Sequence, residues 1–323
     1  MTLSDRALEA FGLRDPRPGP LPDSPARFPD GGHYRVEIPS VEGPEAMRTV
    51  LAAAGERSVP VHRVSQGSGI TMLTDDEIVD MVQQGRDAGV EVCLFTGPRA
   101  GWGTGVQATA SAGRVIGGSL RGLDELRAGL LDVVHAADLG VRSVLVSDLG
   151  QLAVLGRMRV AGDLPEDFVL KVSISLPVAN PATARVLEDL GATTLNLPVD
   201  LAVHDIAAIR AAVSLPLDVY IEGADDFGGP VRYHDLPEIV RVAAPVHVKF
   251  TARNAPNTYP SGTHLTPVVL ALAAERVRRA SIGLALLART APILVPSPTG
   301  KRVAAPDTDL DLTGSARRPA PPP

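Results

Sequence analysis

Eight short runs rich in valine, isoleucine and leucine, each followed by a longer stretch of helical periodicity, constrain this chain more than any other feature. The runs are Tyr34–Pro39, Val59–Val64, Val90–Phe95, Ser143–Ser147, Phe168–Ile174, Thr193–Leu197, Leu217–Glu222 and Val246–Phe250. Segments such as GPEAMRTVLAAAGE, TDDEIVDMVQQGRDAG and NPATARVLEDLG separate them. Continuous apolar runs of strand length alternating with amphipathic helices mark a parallel sheet, whose strands are buried on both faces and joined by crossover helices. Eight such units closing on themselves predict a single-domain α/β protein, a (β/α)8 barrel of the TIM type. A doubly wound open sheet is the alternative, but no Gly-x-Gly-x-x-Gly follows the first run.

Local signals agree with that count. Thr74-Asp75-Asp76-Glu77 has the form of a capping box. Glycines 89, 140 and 191 stand just past predicted helices, where a C-cap favours them, and so fix where the next strands begin. The N-terminal segment 1–32 is set apart as rich in proline and glycine, and residues from about 14 to 32, dense in proline, glycine and aspartate, are expected to hold no regular element. The barrel is expected over 33–292 and a disordered tail over 303–323.

Composition narrows the function classes. Hydrophobic residues form 45% of the 323, enough for a large core. A net charge of −6 argues against a nucleic-acid partner. The single cysteine, Cys93, excludes a disulfide framework and any multi-cysteine metal or iron–sulfur site within the chain. No signal peptide or membrane span is evident, so a cytoplasmic location without membrane partners is expected. The apolar stretch from His264 to Arg289 is interrupted by Glu275 and arginines and reads as a helix pair or one long amphipathic helix. Lysine occurs only at 171, 249 and 301, which draws attention to any lysine within a strand.

In such barrels the active site lies at the C-terminal strand ends. By that rule Glu37, Asp148, Glu222 and Lys249 are the catalytic candidates, and His62, Arg63, Arg99, Asn196 and Arg253 are the substrate-binding candidates. The three carboxylates suit general acid or base work, or with His62 the binding of one divalent metal; alternatively each pairs with Arg63, Lys249 or Arg253 as a structural ion pair. Lys249 suits either a Schiff-base nucleophile or an anchor for a substrate carboxylate. The glycine-rich loops 65–69 and 96–105 are candidate anion cradles or plain flexible loops; the second, which carries Trp102, reads as a lid or substrate-contacting segment, and 257–264 as a further cover of the mouth. His135 and His204 read as surface residues and Cys93 as core.

The closing part of one stretch adds a resemblance. Asp218-Val219-Tyr220-Ile221-Glu222-Gly223-Ala224 resembles the E-x-F-x-x-G-A signature of the U32 collagenase-like peptidase family, preceded by VSDLG after the fourth run and by KVSISLPVANPATARVLEDLGA. The resemblance covers the fourth to seventh runs, with Asp218 for the first glutamate and Tyr220 for the phenylalanine. It implies a barrel of the kind classed as peptidases, several of which carry iron–sulfur clusters for hydroxylating RNA bases or quinone precursors. The cysteines of such a cluster have no counterpart between Asp226 and Tyr233. The expectation is therefore a divergent, cluster-free U32 peptidase-like enzyme of hydrolase or lyase type, acting on a small polar or anionic molecule or a peptide. The alternative is a non-catalytic ligand-binding barrel or the cluster-free partner of another U32-like subunit. A divalent-metal cofactor and a homo- or hetero-oligomer stay open.

Overall fold

The computed structural model describes residues 20–99, 101, 107, 110 and 117–300. Residues 1–19, Ala100 and 102–105 of the glycine-rich loop after the third strand (Trp102 among them), and the tail at 303–323 lie outside the described residues. Eight parallel strands close into one barrel in sequence order: β1 (Tyr34–Pro39), β2 (Val61–Ser65), β3 (Glu91–Phe95), β4 (Ser143–Val146), β5 (Val169–Val172), β6 (Thr194–Asn196), β7 (Leu217–Glu222) and β8 (Val246–Phe250). Around them pack α1 (Pro44–Arg57), α2 (Asp75–Ala88), α3 (Gly122–Asp138), α4 (Leu149–Ala161), α5 (Pro181–Asp189), α6 (Val203–Ala212), α7 (Leu236–Ala243) and α8 (Thr266–Thr290). The (β/α)8 expectation thus holds, and β1, β7 and β8 have the bounds that their apolar runs predict. No described helix is long and apolar enough to cross a membrane.

The punctuation acts as its chemistry requires. Thr74 and Glu77 form the reciprocal capping box of α2, and Gly89 ends that helix at φ 68°, a left-handed conformation that glycine adopts without a Cβ penalty. β2 starts at Val61, two residues later than the apolar run suggests, because Pro60 has no amide hydrogen for the ladder. The long C-terminal stretch is one helix, α8; Val269, Ala273, Arg276, Val277, Ala280, Gly283 and Leu287 recur on its buried face.

Strand alternation separates two interiors. Outward residues such as Val36, Ile38, Val64, Leu94, Val144, Leu170, Leu195, Val219 and Val248 form one continuous apolar shell against the helices. The lumen is different: on one side Cys93, Phe95 and Leu145 make a small apolar cluster, and the remainder is polar or charged. At the N-terminal end, residues 24–32 fold beneath the strands without a regular element. Phe28 is buried there, its ring edge-on to His247 at 5.2 Å.

Helix spacing around the shell is fixed by close approaches. A Cβ on Gly156 of α4 would stand 2.2 Å from the Leu190 carbonyl oxygen. Gly156→Ala should therefore force α4 away from the α5–β6 turn and cost about 1–3 kcal/mol, read as a lowered urea midpoint with an unchanged denaturant slope. Wild-type stability in this variant would show that the two segments are not in contact.

Candidate active site in the barrel lumen

Inward positions sort into layers supplied alternately by odd and even strands. Arg63, Ser143, Thr194 and His247 come from even strands; above them stand Glu37, Cys93, Lys171 and Asp218 from odd ones. Ser65, Leu145, Asn196 and Lys249 follow toward the C-terminal mouth, and Tyr220 closes over them. The pairing register sets these neighbours, with Glu37 opposite both Arg63 and Lys249 and Asp218 opposite both Asn196 and His247. Valine, isoleucine and leucine usually fill such layers; here ionised groups do.

Glu37 is the hub. Its Oε2 accepts from Lys171 Nζ and, at 3.3 Å, from Arg63 NH1; its Oε1 accepts from Ser65 Oγ at 2.7 Å and lies 3.3 Å from Lys249 Nζ. Arg63 NH1 also reaches Asp218 Oδ1 at 3.1 Å, while its Nε and NH2 form a fork on Glu91 at 2.8 and 3.2 Å. Lys171 Nζ is 3.5 Å from Asp218 Oδ2. Lys249 Nζ donates to Asn196 Oδ1 at 2.9 Å and stands 4.2 Å from the centroid of the Tyr220 ring. Charges balance, with Arg63, Lys171 and Lys249 against Glu37, Asp218 and Glu91.

Electrostatics keep the carboxylates ionised. Burial pushes Glu37 upward, but the Lys171 and Lys249 ammoniums and the Arg63 guanidinium outweigh it and hold the group well below its ordinary value. Asp218 follows the same pattern: burial opposes, and Lys171, Arg63 and His247 prevail. His247 is pushed down to about 4 by burial first and by Arg63 second, so at neutral pH it is uncharged. Its Nδ1 lies 2.9 Å from Asp218 Oδ1, yet neither ring nitrogen makes a well-formed hydrogen bond. Burial pushes the Cys93 thiol up to about 11, which suits an inert core residue.

The other predicted residues are dispersed. His62 is the second residue of β2, not its end. It faces the N-terminal side, accepting from Val36 N at 3.0 Å through Nδ1 and bonding the Ser297 carbonyl at 2.8 Å through Nε2. Asp148 caps α4: Oδ1 accepts from Gln151 N at 2.8 Å and Oδ2 from Leu120 N at 3.0 Å. Glu222 is fully buried away from the network, bound by Tyr233 Oη at 2.6 Å, Arg253 N at 2.8 Å and Arg279 NH1 at 3.0 Å. Arg253 itself is exposed at the rim, 3.7 Å from Asp225. Arg99 donates to the Gly67 and Ser68 carbonyls and lies over the Phe95 ring. Glu37, Asp148, Glu222 and His62 therefore do not converge, and among the described residues no three His, Cys, Asp or Glu side chains could share one metal ion.

Three charged residues of the network escape a search confined to the C-terminal strand ends: Lys171 and Asp218 lie mid-strand, and Glu91 opens β3. The scarcity of lysine and the parity of Lys171 with Ser173 were the available signals. At the mouth, the segment after β8 folds over the loop after β2: Ser261 N donates to Ser68 Oγ at 2.7 Å, and the Tyr259 ring lies against Gly67, where a Cβ would be 2.3 Å from it. Outside the mouth, an apolar groove of about 330 Å³ runs between α4 and α5, lined by Leu149, Leu176, Val186 and Leu187.

Comparison with known proteins follows this geometry. The model of peptidase family U32 matches residues 123–226, from α3 through β7, so the resemblance holds over the strands that supply Lys171, Asn196 and Asp218. No curated protein matches the chain significantly. Among solved structures, the U32 peptidase Mk0906 is similar at 17% identity and TM-score 0.41, over 72% of this chain and 97% of its own. A candidate fructose-1,6-biphosphate aldolase from Coccidioides immitis is similar at 12% identity and TM-score 0.50, over 80% of this chain and 93% of its own. At 12% identity the likeness to the second shows the barrel fold alone.

Two outcomes follow from the network. Unfolded histidine protonates near about 6.5, whereas His247 stays neutral down to about 4. Acidification across that window therefore favours the unfolded state, and the loss continues below it as the unfolded carboxylates protonate before Glu37 and Asp218 do. Denaturation between pH 7 and 4 should show stability falling, with a shallower slope in His247→Asn; an equal slope would place His247 in water. Glu37→Gln removes the anion shared by three cations, leaves Lys249 without a carboxylate partner among the described residues, and should cost about 3–5 kcal/mol, most of it recovered in Glu37→Met/Lys171→Met. A double variant no more stable than the single one would contradict the hub.

Proposed function

We propose that this chain is a U32 peptidase-like barrel enzyme that acts on a small polar or anionic molecule or a short peptide, with Lys249 meeting the substrate. The observation that carries the reading is the setting of Lys249. It is a buried amine in the inward layer close to the mouth, held between the Glu37 carboxylate, the Asn196 amide and the Tyr220 ring.

An ammonium has three donors. Asn196 takes one and the Glu37 carboxylate stands 3.3 Å away, which leaves at least one for a ligand oxygen. Glu37, held ionised by its cations, suits an electrostatic anchor of that ammonium rather than a proton donor. Lys249, 1% exposed, would then stabilise negative charge developing on a substrate carbonyl oxygen, or protonate a leaving group, away from bulk water. Such chemistry is of hydrolase or lyase type. Asp148 and Glu222 act here as positioning residues: the first ties the Gly117–Leu120 segment to the end of β4, the second ties the loops after β7 and β8 to α8.

The test is a thermal-shift screen of short peptides, carboxylates and phosphorylated metabolites, followed by mass spectrometry of incubated hits. Lys249→Met should stay folded, because Lys171 and Arg63 still neutralise Glu37, and should lose product formation by about a hundredfold or more. Wild-type turnover in Lys249→Met would refute the assignment. Hits that bind wild type but never react would support the ligand-binding barrel instead.

A further inference from the structure

A second cation faces the mouth from outside the lumen network. Arg276, on the buried face of α8, is 5% exposed. NH1 donates to the carbonyl of Ser40, the residue that leaves β1, at 2.9 Å. Among the described residues Nε is buried without a hydrogen-bond partner, and the guanidinium forms no ion pair with a carboxylate. A buried guanidinium in that condition is costly unless something else completes its donors. Burial pushes Arg276 below its ordinary value, opposed by Tyr259, Glu42 and Tyr220.

The Ser40 carbonyl places it at the C-terminal end of β1. Tyr220 lies on the inner face of β7 beside Lys249, and its hydroxyl has no hydrogen-bond partner among the described residues. Tyr259 belongs to the segment folded over the loop after β2, and its hydroxyl pairs with Ser40 Oγ. The nearest charge of opposite sign, Glu42, is already held by the amides of Gly67 at 2.7 Å and Ser68 at 3.0 Å. A buried arginine at the end of β1 and a phenol beside Lys249 are thus left with no described carboxylate committed to either.

We propose that Arg276, with the Tyr220 hydroxyl, is an oxyanion-binding subsite that receives the carboxylate or phosphate end of the substrate whose reacting end meets Lys249. This deepens the functional reading above and rests on it for the identity of the ligand, but not for its test. The guanidinium fork matches the paired oxygens of either anion.

The experiment is titration of the full chain with inorganic phosphate and with acetate at constant ionic strength, following melting temperature and heat of binding. One or both anions should stabilise wild type saturably, phosphate alone indicating a phosphate ester and acetate alone a carboxylate. Arg276→Met should weaken that binding about tenfold or more, Arg276→Lys should weaken it partially, and the exposed Arg289→Gln should stay within about twofold of wild type. No saturable response in wild type, or binding to Arg276→Met within about twofold of wild type, would overturn the subsite. Should Arg276→Met not fold, Arg276→Lys decides: an unchanged affinity overturns it. Failure of the Lys249 assignment would leave these anion titrations unaltered, so the two readings fail separately.

Discussion

The Glu37 carboxylate, placed in the lumen among Lys171, Lys249 and Arg63, is the interaction on which the interior of this barrel depends. It joins four strands, β1, β2, β5 and β8, through charge rather than apolar contact. Arg63 extends the set to β3 and β7 by its bonds to Glu91 and Asp218. Remove the anion and three buried cations lose their common partner. Remove a cation and a carboxylate in the lumen is left short of one.

Such an interior is an expensive way to fill a barrel. Apolar side chains of similar volume would serve stability as well or better, because each buried ion gives up hydration that its partner must restore. The outer shell, with Ile38, Leu94, Leu170 and Val248, supplies ample apolar burial without help from the lumen. On the function proposed here, charge in the lumen serves chemistry: a fixed carboxylate holds an amine near the mouth, and Arg276 adds a second buried cation at the end of β1. The apolar patch of Cys93, Phe95 and Leu145 fills the opposite side, so polarity is concentrated toward β1, β7 and β8.

Much of the fold was readable from alternating apolar runs and helix caps, since both reflect local rules of burial and backbone hydrogen bonding. β1, β7 and β8 needed no adjustment, and β2 shifted only because Pro60 cannot donate. The site was less legible. Reading strand ends picked out Glu37 and Lys249, which the barrel brings within 3.3 Å of each other, but also His62, which alternation and the later start of β2 turn away from the lumen. Asp148 stands at a strand end yet is also the residue before a helix, and the capping role takes both its oxygens. Lys171 and Asp218 lie deeper than the strand ends, where only closure of the barrel makes residues 37, 171 and 218 neighbours. Arg276 was hidden for a related reason: a helical arginine reads as solvated until the helix is seen to bury that face.

The chain has lysines only at 171, 249 and 301, which makes side-chain nitrogen NMR of lysine-labelled protein the most direct test of the Glu37 hub. Two ammonium resonances protected from solvent exchange at neutral pH are expected, one each from Lys171 and Lys249, and Glu37→Gln should abolish or sharply reduce the protection of both. Protected signals that persist unchanged in Glu37→Gln, or ammonium protons that exchange freely in wild type, would contradict the account.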